Sequence, residues 1–557
     1  MSDRPRLGAD LVVECLAAEG VTHVFGLPGT TIMEVIDALA RQDAVRYLAT
    51  RHEQVAGFMA DGFSRAGTGL GVCLASRGPG AANLSIAVQN ANDESIPMLV
   101  LIGQVSGAFS ERRAFEEMDV VSAFRPQCKW AVEIHRQDRL PELLQRAVRT
   151  AVTGRPGPVV VSLPHDMLQA PATETPARRV WIHPPAPDPS GVAEAARLLA
   201  AAERPAIIVG GGGAGDAGAH LALAEAAGAP LVTTWLRKNV VPNSHPAFLG
   251  SLGYGAHEVS DQLVRDADVL VALGCRFSEF STKRWTLVSP GTHLVHADVD
   301  PTELGRVHPP RVGLVSDATA AARALATALA PLTAADPTRA DRRTARLEGL
   351  RKQYAEAAAL PRVPQGGSTV TSAALTHAVQ RLAGRDDVVI VQDVPTFGPW
   401  VQRHVAFDRP RSYYGSAGGA MAWGFPAAMG MALARPDEKV IALSGDGSFW
   451  MVAQDFETCV RERIPVVNVI VNNFAYGNTR DRQRFAHDGR YHGVFLGNPD
   501  FAAFARLLGG HGVRVTDDAD LVPAIEQALT RPGPSIIDLV QDRMEGLPHG
   551  LTPPKAR

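Results

Sequence analysis

The sequence predicts an α/β protein of three domains, each a doubly wound parallel sheet. Three observations carry that prediction. Short β-branched runs alternate with longer stretches of helical periodicity along the whole chain. Two proline-rich stretches, Pro171 to Gly191 and about Pro331 to Gly367, interrupt the alternation. They cut the 557 residues into thirds of ordinary domain size. The predicted domains are 1–175, 190–340 and 365–545. No short-period repeat is visible.

The elements follow in order. Leu11, Val12, Leu16 and Ala17 fall at helical spacing, Val45 to Leu48 reads as strand, and Met98 to Ile102 is an apolar run of strand length. In the middle third, the strand Ala206 to Val209 breaks at Gly210-Gly211-Gly212-Gly213 before an alanine-rich helix. Val269 to Leu273 and Leu294 to Ala297 are further strands. A charged helical stretch, Arg339 to Ala359, leads into Pro361, Pro364 and Gly366-Gly367. In the last third, Val388 to Val391, Val440 to Leu443 and Val466 to Val471 read as strands. Met451 to Glu462 reads as a helix with Phe456, Cys459 and Val460 on one face.

Composition narrows the function classes. A net charge of −3 gives no electrostatic case for nucleic acid or an anionic membrane. The five cysteines are scattered and form no Cys-x-x-Cys pair, which argues against a disulfide framework or a zinc site and fits a reducing, cytoplasmic setting. Met1-Ser2-Asp3-Arg4-Pro5 has no apolar run behind it, so no signal peptide is expected. The longest apolar runs are far shorter than the roughly 20 residues of a membrane helix.

The most informative stretch lies in the last third. A buried strand, Val440 to Leu443, runs into Ser444-Gly445-Asp446-Gly447-Ser448, and a second strand ends at Asn472-Asn473. A crossover between parallel strands places both loops at the same carboxyl edge. The offset of 473 − 446 = 27 residues is long enough for it. A carboxylate and a carboxamide oxygen thus converge where open α/β sheets bind ligands. Magnesium favours such hard oxygens and takes phosphate oxygens for the rest. Gly445 and Gly447 allow close approach of backbone amides to a phosphate. Either turn alone reads as an ordinary strand-end turn; the pair at this spacing does not.

Gly-Asp-Gly followed, after a helix and a strand, by Asn-Asn resembles the signature of thiamine diphosphate enzymes. The resemblance is greatest to the acetolactate synthase (acetohydroxyacid synthase) branch. It implies magnesium held by Asp446, Asn473 and the carbonyl of Ala475, with Tyr476-Gly477 over the diphosphate and Ser448 beside it. The first third carries Gly26-Leu27-Pro28-Gly29, Arg51-His52-Glu53, Ala60 to Arg65 and Ser76 to Asn83, an order similar to the family's pyrimidine-binding domain. On that likeness Glu53 is the activating carboxyl, with Pro28, Gly29 and Asn83 near the coenzyme. By itself, Arg51-His52-Glu53 is a charged surface cluster. Gly418 to Ala428 resembles the stretch that supports the coenzyme. It gives Met421 the role of propping the bent rings and the Gly419 carbonyl that of accepting from the pyrimidine amino group. Without that context Met421 is an ordinary core methionine. The three domains are then pyrimidine-binding, central and diphosphate-binding. In this family the glutamate and the bend meet across subunits, which implies a homodimer or homotetramer.

The pattern also departs from the family. Pro395-Thr396-Phe397-Gly398 replaces the usual Gly-Gln-His-Gln, although the Thr396 hydroxyl is suited to the diphosphate. Ala114-Phe115-Glu116-Glu117 replaces Ala-Phe-Gln-Glu. Arg482, in Thr479-Arg480-Asp481-Arg482-Gln483, stands where the synthases place a tryptophan. These charges read either as a solvated loop or as an arginine-lined pocket for a carboxylate-bearing substrate. Lys129 matches a family lysine near the site entrance. The central domain of the synthases binds flavin. Here Arg276-Phe277 is followed by Ser278-Glu279-Phe280, and Leu252-Gly253-Tyr254-Gly255 lacks a histidine, so the pattern weighs against flavin (FAD) more than for it.

The function expected is a thiamine diphosphate-dependent carboligase that decarboxylates a 2-keto acid and joins the product to a second carbonyl. The nearest alternative is a 2-keto-acid decarboxylase or lyase without ligation. A noncatalytic regulatory subunit on the same fold, and an NAD-type dehydrogenase resting on the tetraglycine alone, stand further off.

Overall fold

The computed structural model describes residues 4–67, 69–364, 367–394, 396–548 and 551. Gly366 of the second proline-rich stretch and Pro395 lie outside the described residues. The first sheet holds β1 (His23–Gly26), β2 (Arg46–Ala49), β3 (Gly71–Ser76), β4 (Met98–Gln104), β5 (Trp130–Glu133) and β6 (Pro158–Pro164). Their order is β2-β1-β3-β4-β6-β5. The central sheet holds β7 (Pro205–Val209), β8 (Leu231–Thr233), β9 (Phe248–Ser251), β10 (Val269–Leu273), β11 (His293–Asp298) and β12 (Val312–Val315), in the order β12-β11-β10-β7-β8-β9. The third holds β13 (Val388–Gln392), β14 (Tyr413–Gly415), β15 (Lys439–Gly445), β16 (Val466–Asn472), β17 (His511–Val515) and β18 (Ser535–Val540), in the order β14-β13-β15-β16-β18-β17.

Every ladder of these three sheets is parallel. Parallel sheets are covered by helices on both faces, which is why β4, β6 and β16 are buried along their whole length and read as unbroken apolar runs. The predicted strands are all present. The repeat missed in the sequence is topological: the first and third sheets have the same relative order, 2-1-3-4-6-5.

Two expectations about helices change. Met451 to Glu462 is not one helix. A short helix starts at Asp446 itself and ends at Trp450, Val452 leaves helical geometry at φ −138°, and a second helix runs Phe456–Glu462. Asp455 enforces the break: its Oδ1 accepts from Thr458 Oγ1 at 2.8 Å and from the Arg51 amide at 2.8 Å. The second proline-rich stretch is mostly helical, with Ala318–Ala334 running through Pro331 and then Pro337–Ala358. The buried Arg343 holds the latter to the central domain, donating to the carbonyls of Leu199, Ala202 and Ala227 at 2.8, 3.1 and 2.9 Å. These are helix C-terminal carbonyls, where a cation is favoured.

The first and third domains meet through helices Glu53–Arg65 and Gly424–Ala434. A Cβ on Gly62 would lie 2.6 Å from Ala427 Cα, and one on Gly430 would lie 2.9 Å from the Met59 carbonyl carbon. Only glycine allows this approach. The pairing of Gly62 with Ala427 and of Met59 with Gly430 makes the two helices antiparallel. A buried polar network closes the seam. Asp61 accepts from Trp423 Nε1 at 2.9 Å and from Arg65 Nε at 2.5 Å, and Glu94 accepts from Arg65 at 2.8 Å and pairs with Arg237. Burial pushes the Glu94 carboxyl up, but Arg237 and Arg65 outweigh it and hold it at about 2.

Candidate active site

In a parallel sheet all strand ends lie at one edge. On the third sheet that edge carries Thr396 after β13, Gly419 and Met421 after β14, Gly445 to Ser448 at the end of β15, and Asn473 to Gly477 after β16. The structure brings several of these into direct contact. Thr396 is buried against Gly477, where a Cβ would fall 3.1 Å from Thr396 Cβ and 3.2 Å from Asn473 Nδ2. A Cβ on Gly447 would lie 2.5 and 2.8 Å from the Tyr476 ring. The two glycines are therefore required by close packing of one loop on another.

Asp446 is 2% exposed. Its Oδ1 accepts from the Gly447 amide at 2.9 Å and its Oδ2 from Asn498 Nδ2 at 2.8 Å. Burial pushes its carboxyl up to about 6, against hydrogen bonds from Gly447, Asn498, Ala475 and Phe474. No basic side chain forms an ion pair with it among the described residues. The two asparagines separate, because successive strand residues face opposite sides. Asn472 turns inward, donating to Asp538 Oδ1 at 2.8 Å and accepting from Asn498 at 2.8 Å. Asn473 faces the site, its Oδ1 accepting the Ala475 amide at 3.2 Å. Phe474 takes φ +55° and reverses the chain, so that Ala475 bridges Phe495 and the Tyr476 amide reaches Val494 O at 2.8 Å. One buried carboxylate and neutral oxygens on glycine-lined loops form a donor set that fits a small hard cation completed by phosphate oxygens.

Asn498 was missed from the sequence. Gly497-Asn498-Pro499-Asp500 reads as a plain turn, and only folding brings it to Asp446 and Trp450, whose Nε1 it accepts at 3.0 Å. Ser448 sits in the expected loop, with its hydroxyl directed to Asp393. Gly419 has φ +75° with open space where a Cβ would be, and Met421 is half-buried.

The carboxyl edge of the first sheet carries the other half. Pro28 and Gly29 follow β1, and a Cβ on Gly29 would lie 2.6 Å from Ser76 Oγ. Glu53 follows β2 as the first residue of its helix and is 7% exposed. Asn83 Nδ2 donates to its Oε2 at 2.9 Å, and a Cβ on Gly80 would come within 3.1 Å of Oε1. Phe115 and Glu116 come to the same edge: the Gly78 amide donates to Glu116 O at 2.9 Å, Arg77 lies 3.6 Å from the Glu116 carboxylate, and Phe115 is 76% exposed.

Lys129 and Arg482 stand apart from the site, and Glu53 and Met421 stand apart from each other. Lys129 precedes β5 and so lies at the opposite edge of the first sheet, where its ammonium donates to Thr150 O and Thr153 O at 2.5 and 2.7 Å and caps a helix. Arg482 is exposed on helix Gly477–Ala486, whereas its neighbour Arg480 is buried and committed to Asp481 and the Glu545 carbonyl. Glu53 and Met421 do not meet within the chain. They lie at opposite ends of the antiparallel helix pair, so the 12 steps from Glu53 to Arg65 alone separate them by about 18 Å.

The central sheet has the strand order of dinucleotide-binding folds, with its switch point between β7 and β10. Its loops close there. The Gly212 amide donates to Gly274 O at 3.1 Å, and a Cβ on Gly212 would lie 2.9 Å from Gly274 Cα. Helix Ala217–Ala227 is capped by Asp216, which accepts from the Gly218 amide at 2.9 Å and from Arg323 at 2.5 Å. A dinucleotide pyrophosphate seats on free amides at such a helix start and here would meet a carboxylate. These residues do not fit a flavin or nicotinamide dinucleotide seated on that turn.

Comparison with known proteins agrees with this geometry. Residues 6–123 match the thiamine pyrophosphate enzyme N-terminal TPP binding domain, 192–325 the central domain, and 393–539 the C-terminal TPP binding domain. The chain is 34% identical to the probable acetolactate synthase large subunit of Methanocaldococcus jannaschii, over 99% of this chain and 94% of that protein. It is 32% identical to the acetolactate synthase isozyme 1 large subunit of Escherichia coli, over 99% and 96%. It is 34% identical to the acetolactate synthase of Mycobacterium bovis, over 96% and 88%. Three sheets with their ligand-facing edges, matched along almost the whole chain, make this protein a member of the thiamine diphosphate-dependent enzymes, in the acetolactate synthase-like branch.

Proposed function

We propose that the protein is a carboligase that decarboxylates a 2-keto acid and joins the remaining fragment to a second carbonyl compound, such as pyruvate. The observation that carries this reading is the pairing of a buried carboxylate, Asp446, with the Asn473 oxygen on glycine-lined loops, opposite a Glu53 edge on a sheet of the same order. Its acetolactate synthase relatives favour ligation over simple decarboxylation. When bound, the coenzyme supplies a carbanion and stores the electron pair freed as carbon dioxide leaves.

The chain's own residues bind, orient and hold protons. Asp446, Asn473 and the Ala475 carbonyl hold magnesium in this reading, with Gly447, Tyr476, Gly477 and Thr396 around the diphosphate. Glu53 holds a proton at the pyrimidine ring nitrogen through Oε1, the oxygen that Asn83 leaves free. Met421 props the ring bend and the Gly419 carbonyl accepts the pyrimidine amino group. The separation of about 18 Å between Glu53 and Met421 supports a homodimer, with one chain giving the glutamate and the other the bend. Phe115 and Glu116, at the same edge as Glu53, face the keto acids in this reading.

Purified protein incubated with pyruvate, magnesium and thiamine diphosphate is expected to yield acetolactate. Acetaldehyde as the sole product would replace ligation with simple decarboxylation. No carbon dioxide from any member of a 2-keto-acid panel would overturn the enzymatic reading.

A further inference from the structure

Asp393 follows β13 and has no role in the site as described so far. It is 2% exposed, and its carboxylate gathers donors from three segments. The Val394 amide donates at 2.8 Å, and the Ala422 and Gly424 amides of the loop after Met421 and the Ser448 hydroxyl of the helix that opens at Asp446 face it and favour its ionised form. Burial nonetheless pushes the carboxyl up to about 6. The approach is close: a Cβ on Gly424 would lie 2.8 Å from Asp393 Cβ and 2.9 Å from its amide.

The loop so held is bent. Ala422 is buried at φ +72°, a conformation that a residue with a Cβ adopts only when its surroundings impose it. Trp423, next to it, is pinned from the other side by Asp61 at 2.9 Å. Met421 therefore projects from a strained turn that packs directly on Asp393. The Val394, Ala422 and Gly424 amides and the Ser448 hydroxyl are donors, which two carboxylate oxygens suit and a carboxamide does not, since its NH₂ would face N–H groups.

We propose that Asp393 is the positioning residue that fixes the Met421 loop relative to the diphosphate-side helix, and so sets the bend of the coenzyme. The proposal rests on the assignment of Met421 and the Gly447-Ser448 loop to the coenzyme.

A double-mutant cycle on coenzyme affinity tests it, measured by calorimetry with thiamine diphosphate and magnesium on the purified full chain. Asp393→Asn is expected to weaken binding at least about tenfold, and Met421→Ala less. The double variant should bind no worse than Asp393→Asn alone, because a released loop has already misplaced Met421. Losses that multiply would overturn the clamp and leave Met421 in its role. A Met421→Ala variant with unchanged affinity and turnover would instead remove the ring-bend assignment, and the clamp with it. Ser448→Ala, which deletes a single hydroxyl, gives the same cycle with a smaller loss and decides the question if Asp393→Asn does not fold.

Discussion

The first and third sheets share one strand order, 2-1-3-4-6-5, yet their ligand-facing edges differ in kind. On the first, Glu53 opens a helix and leaves Oε1 free while Asn83 holds Oε2. On the third, the carboxylate Asp446 is buried deeper, hydrogen-bonded on both oxygens, and flanked by loops that pack on one another through Gly447 and Gly477. The same scaffold thus presents a carboxyl with one open oxygen in one domain and, in the other, a carboxylate with both oxygens bonded. Loop chemistry at the strand ends makes the difference, and the antiparallel seam keeps the two edges apart within one chain.

The largest test of that contrast is Glu53→Gln. It should bind coenzyme normally yet lose about 10²- to 10⁴-fold in turnover, the usual share of acid–base catalysis. Near-full activity would remove the role of the first edge. Asp446→Ala should act the opposite way, weakening magnesium-dependent coenzyme binding by about 100-fold as seen by calorimetry, because Asp446 supplies the carboxylate of the proposed donor set. Equal binding would move the metal elsewhere. The seam comes next. Gly430→Val drives a side chain into the Met59 backbone and should cost about 2–3 kcal/mol in urea unfolding. Asn498→Ala, which frees one oxygen of Asp446, should cost about tenfold in coenzyme affinity with turnover at saturation little changed.

The smallest effect is in pH. Asp393, Asp446 and Asp455 are all pushed up to about 6 by burial from an ordinary 3.8. Between those values the folded chain binds more protons than the unfolded one. The stability these groups contribute is therefore full below about pH 4 and lost as pH rises through about 6. In the proposed reading, magnesium and coenzyme binding would discharge the Asp446 proton, so the rise in melting temperature on adding both should grow from pH 5 to pH 7. A rise independent of pH would mean that Asp446 is already ionised before binding.

Much of the fold was readable from local pattern. Buried parallel strands such as β4 and β16 are continuous apolar runs, and period and length sufficed to find them. The crossover helix after Asp446 was misread as continuous, because its break depends on Asp455 bonding to Arg51, 404 residues away in sequence. Lys129 was misplaced for a related reason: a motif fixes a residue's neighbours in sequence, whereas the sheet edge on which it lands follows from strand direction. Asn498 and Asp393 carry no local signal, since their partners lie on other loops.

By itself the sequence determined the three parallel-sheet units, the Gly445 to Asn473 cradle and the candidate glutamate, because each is encoded by residues close in the chain. Only the tertiary structure decided that Asn498 reaches Asp446, that the central glycine turn is closed by Gly274 and Asp216, and that Glu53 and Met421 lie at opposite ends of one seam. Those outcomes depend on loop packing and helix polarity, which arise only when distant segments meet.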